Sequence, residues 1–283
     1  MISFDPYDVP IPKRHQYITG SVGPRPICWA STVNEQGEAN LAPYSFFNAI
    51  SSNPPMLVFS SNRRGRDNTT KDTLHNIEAT MEVVINVVPH RLVNQMNISS
   101  TDYSSDVNEF EKAGVTGIDS KLVKPQRVKE SPVQFECKVK DIITFGEIGG
   151  SANLFICEIV QIHIDESILD ENEMIDPQKI DLVGRMGKEF YVRAKGEAIF
   201  EINNPFSKIN IGFDGLPKHI VESKVLTGNE IAQLAMETEL PNEETILAQT
   251  KGLNIDKSER EAKAKTFIQE GDITKALCIL IQA

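Results

Sequence analysis

Residues 60–73 read SSNRRGRDNTTKDT, which places three arginines, one lysine and five hydroxyl side chains in fourteen positions. Arginine offers a planar fork of donors that matches phosphate. Lys71 and the free N–H groups of a helix start could complete an anion site. The same residues suit a solvated basic loop in which Thr70 or Asp72 caps the helix. A second group joins residues 23–32 (GPRPICWAST) to residues 40–48 (NLAPYSFFN). Small hydroxyls and amides stand there beside aromatic rings, and prolines leave backbone groups unpaired. That surface could hold the polar edge and flat face of a heterocycle. Trp29, Phe46 and Phe47 would serve a plain hydrophobic core just as well.

Other chemistries find little support. No G-x-G-x-x-G follows a strand, and no P-loop, H-E-x-x-H or G-x-S-x-G occurs. His15, His75, His90, His163 and His219 do not pair at ligand spacing, so no metal site is expected. Cys28, Cys137, Cys157 and Cys278 lie far apart without a C-x-x-C, the pattern of a reducing cytoplasm.

The elements that must carry these residues are mainly β through residue 200. Residues 26–33, 39–45, 56–61 and 82–88 are β-rich segments separated by turn-formers. Residues 133–145 alternate, with Val133, Phe135, Cys137 and Val139 on one face and Gln134, Glu136, Lys138 and Lys140 on the other. A hairpin at 146–150 leads to a second long strand over 153–164. Two such strands in succession predict a curved antiparallel barrel, whose closure would remove exposed edges. Helices are expected over 71–80, 89–98 and 107–113. Residues 227–239, 243–250 and 257–281 are charged, alanine-rich and helical in period, with N-cap candidates Thr227, Asn242 and Asp256. The expected organisation is a domain over 1–200 and a mostly helical C-terminal extension over 201–283. Apolar stripes on that extension (Ile231, Leu234 and Ala235; Phe267 and Ile268 with Leu277 and Ile281) need cover, from the barrel wall or a partner copy.

Composition narrows the classes. Apolar residues make up 40% and charged residues 24%, the usage of an ordinary globular protein. The longest apolar runs, such as 276–281, span six residues. A membrane helix needs roughly twenty. A net charge of −11 argues against a duplex nucleic-acid binder. The first residues lack the basic start and apolar core of a secretion signal, so a cytoplasmic protein is expected.

Taken together, Arg25-Pro26-Ile27, Ser31-Thr32, the Asn40 to Asn48 segment, Pro54-Pro55 and KDTLHNI from Lys71 to Ile77 resemble the flavin reductase-like proteins. The match in order and spacing runs over residues 17–165. Residues 181–193 and Leu226-Thr227-Gly228-Asn229 resemble the longer members of that family. The resemblance implies an FMN-binding split β-barrel and noncovalent FMN at the interface of a homodimer, which Trp29, Tyr44, Phe46 and Phe47 would supply with aromatic surface. It also implies site residues. Arg25, Ser31 and Thr32 would line the flavin edge, and Ala42, Tyr44, Ser45, Phe46 and Asn48 the ring and ribityl chain. Ser60, Ser61, Arg66, Lys71, Asp72 and Thr73 would surround the phosphate, with Asp72 ordering the loop. Many short family members carry G-D-H after the long hairpin. Residues 150–155 here (GSANLF) have no histidine, so NAD(P)H as electron donor is an expectation of the family alone. The implied activity is an FMN-dependent oxidoreductase that reduces flavin or a small acceptor. A flavoredoxin-like carrier reduced by a protein, or a non-catalytic flavin-binding module, are the alternatives. No catalytic side chain is singled out, because in such chemistry the protein chiefly positions and tunes the ring.

Overall fold

Every residue of β1 (Cys28–Val33) is buried, as a strand sandwiched between two layers must be. Cys28 and Ala30 belong to one core, Trp29 to another. In the computed structural model, which describes residues 1–202, 208–253, 255–256 and 258–282, β1 pairs antiparallel with β2 (Ala39–Tyr44) and β5 (Glu82–Val87). β5 continues to β8 (Val133–Thr144), then β9 (Ala152–Ile164), β4 (Pro55–Asn62) and β3 (Phe47–Ser52). The result is one seven-stranded antiparallel sheet with β2 and β3 at its ends. Only Ser45 and Phe46 separate those end strands in the chain, so the sheet must curl back on its own start. No ladder joins β2 to β3 among the described residues, which makes this a split barrel. The expected closure does not occur, and β3 keeps an exposed edge from Asn48 to Ser52.

Leu57, Val83, Ile85, Cys137 and Cys157 fill the barrel, with the rings of Phe59 and Phe155 tilted against each other, their centres 4.7 Å apart. Leu74 and Ile77 of α2 (Asp72–Thr80) join the same core. On the other side of β1, Trp29, Leu41 and Val88 pack with Met96 of α3 (Val93–Ile98) and Phe110 of α4 (Glu109–Ala113). The Trp29 indole N–H donates to Ser99 Oγ at 2.8 Å. Trp29 and Tyr44 are thus buried within one chain and add no aromatic surface for a partner.

The structure departs from the sequence reading in two places here. Residues 11–21 form a helix, α1 (Ile11–Ser21), which the sequence did not announce: Pro12 sits in its first turn and only Thr19 is buried. The polar face of β8 is not solvated. Gln134 and Glu136 are buried, and the loop of the hairpin β6 (Gly117–Ile118) to β7 (Arg127–Val128) reaches Glu136. Its carboxylate accepts from Lys121 N–H at 2.7 Å and Leu122 N–H at 2.6 Å, and lies 2.7 Å from His163 Nε2. After a short α5 (Pro177–Ile180), β10 (Leu182–Arg185) and β11 (Tyr191–Ala194) form a hairpin tied to the approach to β1 by reciprocal backbone bonds between Arg25 and Arg185.

The chain divides into two compact units, Met1–Phe200 and Glu201–Ala283. In the second, α6 (Lys218–Val221), α7 (Gly228–Ala235), α8 (Glu243–Thr250), α9 (Arg260–Gln269) and α10 (Ile273–Ile281) follow one another. Thr227 and Glu230 make a reciprocal capping box for α7, and Asn242 caps α8. The long helix expected over 257–281 is two, broken at Gly271 with φ of +81°. Lys257 lies outside the described residues. Asp256 is not the N-cap of α9, which is Glu259. The apolar stripes cover one another: Ile231, Leu234, Ala235, Phe267, Ile268 and Leu277 share a core within this unit, with Ile281 against it. The expected cover by a barrel wall or partner is not required. No described helix is long and apolar enough to cross a membrane.

Candidate functional site

Two cavities lie on neighbouring stretches of β2 and share Ser100. The first, of about 270 Å³, is bounded by Tyr44, Ser45 and Phe46 where β2 turns toward β3, by Arg25, and by Arg185 of β10. The second lies by Asn40 and Ala42, where α2 begins with Lys71, Asp72 and Thr73 and where Arg64 meets Asp102.

Arg25 organises the first cavity. Its guanidinium donates to the carbonyls of Thr19 at 2.6 Å, of Val22, and of Met186 at 3.0 Å. It thereby satisfies carbonyls at the end of α1 and ties that helix to the β10–β11 hairpin. The side chain lies 5.9 Å from the Phe46 ring centre, and its Nε has no partner. Burial first, and then the neighbouring Arg185, lower its pKa. Arg185 stacks 4.7 Å over the Tyr191 ring and donates to the Tyr191 hydroxyl and to Lys188 O.

In the second cavity Lys71 is half-buried, and its ammonium makes no hydrogen bond or ion pair among the described residues. It lies 5.2 Å over the Tyr44 ring. Burial lowers its pKa, against a smaller upward pull from Asp102. No side chain caps α2. Thr70 Oγ1 instead meets His75 Nε2 at 2.7 Å, so the capped-loop alternative is not what the chain adopts. Three of the other charges here are committed, Asp72 being the exception among the described residues. Asp102 pairs with Arg64 at 3.1 Å and Arg66 at 2.8 Å, and Glu109 accepts from Leu41 N–H at 3.0 Å, with burial raising its pKa. The space left is about 20 Å³, room for one water.

Of the residues selected from the sequence, Arg25, Tyr44, Ser45 and Phe46 line the first cavity. Ala42, Lys71, Asp72 and Thr73 line the second. The rest line neither. Ser31 and Thr32 are buried in β1, and Thr32 Oγ1 accepts from the amides of Asn40 and Asn76, docking α2. Asn48 is exposed on β3, Ser60 donates to Asn62 Oδ1, and Arg66 is exposed in its ion pairs. Ser31 Oγ, Tyr44 OH and Ser61 Oγ are buried without hydrogen-bond partners among the described residues. Burial pushes the Tyr44 hydroxyl up to about 12. Buried orphans of this kind cost roughly 1–3 kcal/mol each, and these three lie on β1, β2 and β4. Sequence reasoning missed Asn40, Arg64 and Asp102 in the second cavity and His15, Arg185 and Tyr191 in the first. Asn40, Arg64, Arg185 and Tyr191 lie inside motifs already noted. His15 and Asp102 carry no local signal.

A family model for the flavin reductase like domain matches residues 21–179. An uncharacterized protein of Aquifex aeolicus is 39% identical over 188 residues, which cover 66% of this chain and 93% of that one. In structure the chain is similar to nitrilotriacetate monooxygenase component B from Bacillus cereus, with TM-score 0.66 and 28% identity over 71% of this chain and 98% of that one. A 2-nitrobenzoate 2-nitroreductase from Pseudomonas fluorescens gives TM-score 0.63 and 28% identity over 71% and 96%. The family match ends before the helical unit.

Proposed function

The chain belongs to the flavin reductase-like family, with the flavin-related redox role that membership carries, and from that premise we propose that it holds FMN along β2 and reduces flavin or a small acceptor with electrons from NAD(P)H. The observation that carries this reading is Lys71, a half-buried cation without an anion, at an uncapped helix start beside orphaned buried hydroxyls. Lys71 and Arg64, with Thr73 and the first N–H groups of α2, would hold the phosphate. Tyr44, Ser45 and Phe46 would flank the ring, with Arg25 at its edge. When bound, FMN supplies the hydride and electron-transfer chemistry. The chain's contribution is position and charge. Three backbone carbonyls fix Arg25 before any ligand arrives, so its positive end needs no reorganisation.

Anaerobic mixing of the FMN-loaded chain with NADH and with NADPH tests the reaction. Fast bleaching of the yellow chromophore by at least one of them is expected. Bleaching by neither contradicts a reductase and favours the carrier or the non-catalytic module.

We also propose a homodimer. Ile50 on the exposed edge β3 is 56% exposed, and Phe145 and Ile148 at the β8–β9 turn are 61% and 68% exposed. Exposed apolar side chains beside an unpaired strand edge offer a face for a second copy. Light scattering at micromolar concentration should give twice the chain mass of 31.5 kDa. A monomer with flavin bound would contradict it.

A further inference from the structure

Among the described residues lining the cavity beside Phe46, four side chains carry or can carry positive charge, His15, Arg25, Arg185 and Lys188, and none carries negative charge. This reverses the character of a chain whose net charge is −11. Arg25 and Arg185 donate to backbone carbonyls and to the Tyr191 hydroxyl, and neither meets a carboxylate. Neutral acceptors orient a guanidinium without cancelling its charge. Arg64 and Arg66 in the same unit are paired with Asp102 and Arg193 with Asp181, whereas Arg14 and Arg63, like the cavity arginines, donate to neutral oxygens. Two unneutralised guanidiniums sharing a small space repel each other, an arrangement that a bound anion would relieve. The buried, unpartnered Arg25 Nε is a further donor left without an acceptor.

Between the cations Ile27, Met96, Met186 and the rings of Phe46 and Tyr191 form an apolar part of the wall, interrupted by Gln16, Ser45, Asn97 and Ser100. Fixed positive charge over a low-dielectric wall selects a flat apolar body with an anionic head. The cavity also shares Asn97, Ser100, Arg185 and Tyr191 with a wider one of about 760 Å³, so a second molecule has a place to enter beside the ring shelf.

We propose that the Arg185 side of this cavity, where it opens into the wider one and away from the Tyr44–Phe46 shelf assigned to the flavin ring, recognises an aromatic carboxylate as the small-molecule reaction partner, with Arg185 and Lys188 as specificity-determining residues. The proposal deepens the flavin reading and rests on it for the word reaction; the anion preference itself belongs to the side chains. The test titrates the FMN-loaded chain with benzoate, with its neutral isostere benzamide and with the benzamidinium cation, followed by the flavin absorption envelope. Benzoate should bind about ten- to a hundredfold tighter than benzamide, the worth of one charge-assisted contact. Benzamidinium should not bind. In Arg185→Gln the benzoate-to-benzamide ratio should fall toward one, and in Lys188→Gln part of the way. Equal binding of benzoate and benzamide, or a ratio that neither variant moves, would overturn the proposal. Calorimetry of the flavin-free chain with the same probes separates the two readings. If FMN does not bind but the Arg185-dependent benzoate preference persists, the flavin reading fails and the anion site stands. If the preference is absent there too, both fall.

Discussion

Lys71→Ala should weaken FMN about ten- to a hundredfold and leave riboflavin almost untouched. The ammonium is half-buried, and only the Tyr44 ring, 5.2 Å away, lies under it. A charge-assisted hydrogen bond contributes roughly 1.5–3 kcal/mol, which is about one to two decades in Kd. Riboflavin lacks the phosphate and therefore lacks the contact. Fluorescence titration of both ligands against wild type and variant reads the difference directly. The assignment of the α2 start as the anion site fails if both ligands weaken equally. High salt should reduce the wild-type advantage for FMN, because the Lys71 site is only partly shielded from solvent.

Glu136→Ala should lower the melting temperature by roughly 6–12 °C, from a loss of about 3 kcal/mol in a unit of this size. Truncation orphans the N–H groups of Lys121 and Leu122 and removes the partner of His163, all around a fully buried position. Burial alone would raise the pKa of this carboxyl. The two N–H donors and His163 outweigh it and hold the value below the ordinary 4.5. A depressed carboxyl contributes stability above its unfolded pKa and loses it as pH falls through the folded value. Wild-type stability should therefore decline below pH 4.5, and Glu136→Gln should flatten that decline. Thermal melts of the three proteins from pH 7 to pH 3 supply the check. An Ala variant melting with wild type would mean the 121–122 loop does not depend on this carboxylate.

Glu136 also shows where the sequence was legible and where it was not. The alternation over 133–139 located β8 and its barrel-facing residues, Cys137 and Val139. It could not reveal that the loop within 117–128 turns two N–H groups onto the opposite face, because that loop has no period of its own. α1 was silent for a similar reason: it lies on the surface, buries one residue, and begins with a proline that also suits a turn. The break at Gly271 was readable in principle, since a glycine after a helical run is the usual stop. At the site, motifs singled out Tyr44, Phe46 and Lys71, which line cavities. They could not supply Asp102, whose pairing with Arg64 spans 38 positions, nor His15, which arrives on an unforeseen helix. Thr32 illustrates the opposite limit. A hydroxyl in the expected place is already engaged by Asn40 and Asn76, and nothing local distinguishes that role from ligand binding.

The central claim is that β2 and the start of α2 hold a flavin that ends in a single phosphate. Heating or acidifying the purified chain and chromatographing the supernatant tests it most directly. The account predicts a yellow protein that releases intact FMN. Release of FAD alone, or a colourless chain that ignores added FMN, would contradict it.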